Sequence, residues 1–139
     1  MDWKTLIFFH TFAMNAEYYN YNFLIFILMN FSFTEKKAIW KLLIDIIGSD
    51  GRISTGEADY GARLVAMLGF SEQDMDEALE LTVKQAISIL KDMTPEKKQS
   101  AQTMLLEMVK VDGAVDEDEM KIFSAICTAA ELPLPERHI

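Results

Sequence analysis

Apolar residues along the chain recur with a helical period. Ile39, Leu42, Leu43, Ile46 and Ile47 fall at i, i+3, i+4, i+7 and i+8, which draws one greasy stripe along a helix and predicts that this face turns to a core. An offset of 62 residues lays Lys41 to Leu68 over Thr103 to Ala130, and the same stripe returns as Ala101, Met104, Leu105, Met108 and Val109. A second stripe follows each of these: Tyr60, Leu64, Val65 and Leu68 in the first copy, and Ile122, Ile126, Cys127 and Ala130 in the other. The pattern therefore predicts a tandem duplication of a helical hairpin, all-α. One hairpin alone would leave its stripes wet, so the two should share a core and leave the carboxylate-bearing bends outside.

Between the copies, Met75, Leu79, Val83, Ala86, Ile87 and Leu90 continue at helical spacing behind Ser71, a good N-cap with Asp74 three residues on. This reads as one helix over 71–90. Thr94 followed by Pro95 opens the next, since proline at the first helical position needs no amide donor. The total is five helices, or six if the N-terminal segment folds.

The hairpin bends share one pattern. Asp50-Gly51-Arg52-Ile53-Ser54-Thr55-Gly56-Glu57 and Asp112-Gly113-Ala114-Val115-Asp116-Glu117-Asp118-Glu119 both read D-G-x-(Ile/Val)-x-x-x-E. This resembles the second half of an EF-hand loop, but Ile46, Gly48, Met108 and Lys110 stand where its first acidic ligands would be. Local capping accounts for most of the pattern: Gly51 and Gly113 suit a positive φ, Ser54 and Asp116 suit N-caps, and Glu57 and Glu119 at N3 complete capping boxes. Hard carboxylate oxygens from Asp50, Glu57, Asp112 and Glu119, brought together by a twofold arrangement, are also the chemistry that holds Ca²⁺ or Mg²⁺.

Charge narrows the function classes. With 22 acids against 13 bases, the net charge of −9 repels nucleic-acid phosphates, and the basic residues gather only in the pairs Lys36-Lys37 and Lys97-Lys98. Cys127 is the single cysteine and sits in an apolar helical stretch, so it reads as core in a reducing compartment. His10 and His138 stand far apart in sequence and complete neither a zinc cluster nor a Ser-His-Asp arrangement. An enzyme built on carboxylate pairs and a bound cation is the alternative in a different class, but no nucleophile or glycine-rich phosphate loop accompanies the acids.

Residues 1–33 differ from 34–139: they are crowded with Phe and Tyr, and only Asp2, Lys4 and Glu17 carry charge. The uncharged run from Tyr18 to Thr34 is 17 residues broken by Asn20, Asn22 and Asn30, short of a membrane span. Met14 stands where a small residue would precede signal cleavage after Ala16. The reading is a start assigned too early, with Met29 as the true one, or else an extra helix packed on the domain or facing a membrane or a second copy.

Two helices joined by D-G-x-(Ile/Val)-x-x-x-E and repeated about sixty residues later resemble the TerB-like family, named for bacterial tellurite resistance and related to domains of membrane-anchored DnaJ-type co-chaperones. The likeness covers Thr34 to Leu132, with Asp50, Gly51, Glu57, Asp112, Gly113 and Glu119 as the shared positions. The resemblance implies a small, cytoplasmic, non-enzymatic helical module in stress response. It further implies a protein partner, peripheral membrane association in some settings, and divalent-cation binding by its acidic residues.

Overall fold

The computed structural model describes residues 31–48, 53–110 and 116–134. Six α-helices and no strands occur among them: α1 Phe33–Ile47, α2 Thr55–Leu68, α3 Glu72–Glu80, α4 Val83–Lys91, α5 Pro95–Lys110 and α6 Glu117–Ala130. The protein is all-α, as the hydrophobic period predicts. Its aromatic segment 1–30 lies outside the described residues, so the expectations attached to it are not addressed by these six helices.

The duplication is visible down to individual hydrogen bonds. Shifted by the 62 residues of the sequence offset, α2 superposes in numbering on α6, and the helix starts at Phe33 and Pro95 coincide. Ser32 caps α1 and Thr94 caps α5 at equivalent positions; Thr94 Oγ1 accepts from the Lys97 amide at 3.3 Å. At the far ends of α2 and α6, Gly69 (φ 72°) and Glu131 (φ 57°) both take the left-handed conformation. Behind them the Phe70 amide donates to Val65 O at 3.0 Å and the Leu132 amide donates to Cys127 O at 2.9 Å. Both helices thus close in a Schellman turn, whose following residue, Phe70 or Leu132, folds back into the core.

Helix α1 occupies the centre, packed against α3, α4, α5 and α6, while α2 meets α5. The contacts of α1 with α6 and of α2 with α5 are equivalent under the offset, so the halves exchange partners across an approximate twofold axis. Glu35 and Lys97 mark that axis: they occupy the same place in the two copies and form an ion pair with each other at 2.9 Å. The predicted stripes are the core. Ile39, Leu42, Leu43, Ile46 and Ile47 are at most 1% exposed, and Ala101, Met104, Leu105, Met108 and Val109 at most 2%. Trp40, wholly buried, meets the ring of Phe70 edge-on, and Phe70 meets Phe33 in the same way.

The single helix expected over 71–90 is two. Leu81 is extended (φ −64°, ψ 139°), and Thr82 starts a new helix by accepting from the Gln85 amide while Gln85 Oε1 accepts from the Thr82 amide. This capping box competes successfully with helix continuation, because it satisfies two amides that would otherwise need carbonyl partners. The break re-phases the second piece. Val83, counted into the core stripe by spacing, becomes the first residue of α4 and is 44% exposed. The sixth helix of the expected range thus comes from this division.

Candidate functional site

The carboxylates singled out by the repeat sit at the entrances of α2 and α6. In the first copy, the Ser54 amide donates to Glu57 Oε1 and the Glu57 amide donates to Ser54 Oγ, each at 3.0 Å. In the second, Asp116 Oδ1 accepts from the amides of Asp118 (2.8 Å) and Glu119 (3.0 Å). The N-caps predicted at Ser54 and Asp116 are therefore in place. Glu57 and Glu119 occupy N3 of equivalent helices, but the capping box expected in both copies closes only at Glu57; Asp116, with its own carboxylate on two amides, caps the second helix without it.

Their burial is unlike the exposed acidic bend that the sequence suggested: Glu57 is 4% and Glu119 5% exposed. Only Glu57 folds back on its own N-cap; in the second copy Asp116 caps the helix alone and no capping box closes at Glu119. Glu57 Oε1 is used in the cap, whereas Glu57 Oε2 is buried and has no hydrogen-bond partner among the described residues. A buried carboxylate oxygen in that state is costly, so it is the atom a bound cation or water would relieve. Asp50, Gly51, Asp112 and Gly113 lie outside the described residues. Among the described residues no group of three or more His, Cys, Asp or Glu side chains gathers as metal ligands, so Glu57 and Glu119 would need the adjoining aspartates to complete a site.

A second polar constellation was not anticipated from sequence. The Tyr60 hydroxyl on α2 lies 2.9 Å from Glu107 Oε2 and 3.2 Å from Met104 O on α5, joining the first hairpin to the second. Burial, and then the neighbouring Glu107 charge, push the Tyr60 phenol far above its ordinary range, so it stays a neutral donor. Beside it, Tyr60, Arg63, Thr103, Leu106, Glu107 and Lys110 line a pocket of about 430 Å³. Helical spacing places Tyr60 on a core stripe but does not say which helix that stripe meets, and the pocket depends on that pairing.

Cys127 is buried as expected, and desolvation pushes its thiol up to about 11, so it is a thiol rather than a thiolate at neutral pH. No described helix is long and apolar enough to cross a membrane.

No family model matches the chain, and no curated protein matches it significantly. Among solved structures it is similar to a protein of unknown function, PG1108 from Porphyromonas gingivalis W83. The identity is 26% with a TM-score of 0.62, covering 77% of this chain and 90% of that one.

Proposed function

We propose that this chain is a non-enzymatic, TerB-like stress-response module of the cytoplasm that meets a protein partner and holds a divalent cation, Ca²⁺ or Mg²⁺, at its acidic inter-helix turns. The observation that carries the reading is the pair of buried N3 glutamates at repeat-equivalent positions, with Glu57 Oε2 left without a hydrogen bond among the described residues. Asp50 and Asp112, seven residues before each glutamate, supply further carboxylates of the same kind. The positive end of each helix competes with a cation for these side chains, which places the expected affinity in the weak range of about 10⁻⁴ to 10⁻³ M. The acidic charge of −9 favours a basic partner surface.

Calorimetric titration of the full chain with Ca²⁺ and Mg²⁺ tests the cation. Glu57→Gln/Glu119→Gln is the informative variant, because glutamine preserves the capping geometry while removing the charge. Saturable heat in the wild type that disappears in this variant and in Asp50→Asn/Asp112→Asn supports the site; equal heats in all three proteins, or none in the wild type, reject it.

A further inference from the structure

The pocket between α2 and α5 carries two cations, Arg63 and Lys110, that form no ion pair with a described residue. Lys37, Lys41, Lys91 and Lys97 each form an ion pair, with Glu77, Asp45, Glu131 and Glu35. Arg63 and Lys110, both lining the pocket, form none with any described residue. Arg63 Nε is buried and has no hydrogen-bond partner among them. Glu107 shares the lining, with its Oε2 accepting from Tyr60 at 2.9 Å, and offsets one of the two positive charges. A protein with nine more negative than positive charges thus keeps an open, net positive recess at the contact of its two halves.

The other half supplies a control. Under the 62-residue offset, the pocket residues correspond to Ile122, Ala125, Lys41, Ile44, Asp45 and Gly48. There the guanidinium is replaced by a methyl group, and the one lysine is bonded to its neighbouring Asp45 at 3.3 Å. The fold alone therefore does not require free cations at this place; only the α2–α5 side presents them.

From this geometry we infer that the recess is a binding site for a monoanionic carboxylate borne on a short apolar body. A guanidinium fork matches the plane of a carboxylate, and Lys110 adds a second, adaptable positive charge. The Tyr60 ring and Leu106 offer apolar wall to the body of the ligand, and the volume lies in the usual small-ligand range of about 300 to 1,000 Å³. Glu107 in the lining leaves a single net positive charge and disfavours a dianion, which sets the carboxylate above inorganic phosphate. The site uses none of the acidic-turn residues, so it stands independently of the cation reading.

Two-dimensional amide NMR of the full chain titrated with sodium hexanoate, sodium phosphate and sodium chloride reads this directly. Hexanoate should move the amides of Arg63, Thr103, Leu106 and Lys110 along a saturable curve that chloride does not reproduce. Arg63→Gln should weaken it by about tenfold or more, equivalent to one decade in dissociation constant. Lys110→Gln, an exposed change that leaves the fold intact, should weaken it less, and Glu57→Gln should leave it unaltered. A short peptide with a free C-terminus, run beside its amidated form, separates the sources. Binding of the free form alone assigns the carboxylate to a peptide end, and failure of both while hexanoate binds assigns it to a free acid. Absence of saturable shifts, unchanged affinity in both cation variants, or tighter binding of phosphate than of hexanoate overturns the inference.

Discussion

The two halves of this protein, 32–70 and 94–132, share helix starts, N-cap positions and terminal turns, yet differ at a few positions that decide what each half can do. At N3 of the opening helix the first copy has Glu35 and the second Lys97. Glu35 completes its own capping box, whereas lysine cannot accept an amide and reaches across the axis to Glu35 instead. At the closing turn the first copy has Gly69 and the second Glu131, a side chain held in a conformation that glycine adopts without steric cost. On the second stripe Tyr60 in one copy stands where Ile122 stands in the other, and of these two the tyrosine alone carries a hydroxyl that bonds across the halves. Duplication therefore preserves what builds helices and frees the positions that meet across the axis.

The largest consequence lies in the core. Trp40 and Gln102 are equivalent and both are buried, but the indole fills far more space. Trp40→Ala should lower the unfolding free energy by about 3 to 5 kcal/mol, against about 1 kcal/mol for Gln102→Ala, measured by urea denaturation. Equal losses would mean that the larger side chain does not carry more of the core than its equivalent. The closing turns come next and should respond with opposite signs. A Cβ at residue 69 meets nothing within 4 Å, so Gly69→Ala should cost only the left-handed strain, about 1 to 2 kcal/mol. Glu131→Gly should gain up to about 1 kcal/mol at the equivalent place. A loss in Glu131→Gly would show that the glutamate side chain contributes more than its backbone strain removes.

Smaller again is the ion pair on the axis. Burial raises the Glu35 carboxyl, but the Ser32 amide and Lys97 outweigh it and hold it below its ordinary 4.5. A lowered folded value means that the pair contributes stability above pH 4.5, and that this contribution is lost as acidification passes through the folded value. Glu35→Gln keeps the cap and removes the charge, so stability measured at neutral pH should fall by at most about 1 kcal/mol. The difference from wild type should vanish in strong acid, and a gap persisting there would assign the effect to packing.

Much of this architecture was legible because periodicity and capping are local. The stripes, the Thr94-Pro95 start and the N-caps at Ser54 and Asp116 all follow from residues close along the chain, and the 62-residue offset follows from laying one such local pattern over the other. The interruption at Leu81-Thr82 was written in the same code, as Thr82 and Gln85, but an unbroken apolar spacing from Met75 to Leu90 masked it. The burial of Glu57 and Glu119 was not legible: Gln85 occupies the same N3 position in a complete capping box and is exposed, so the cap does not set the burial. The recess at Arg63 and Lys110 was not legible, because it arises where α2 crosses α5, and the sequence pattern specifies faces but not partners.

The duplicated turns are the centre of the functional account, and amide NMR under Ca²⁺ titration tests them most directly. Amides 54–57 and 116–119 should shift together and saturate, with Glu57→Gln/Glu119→Gln abolishing both responses. Shifts confined to one turn, or spectra unmoved at millimolar Ca²⁺, would contradict it.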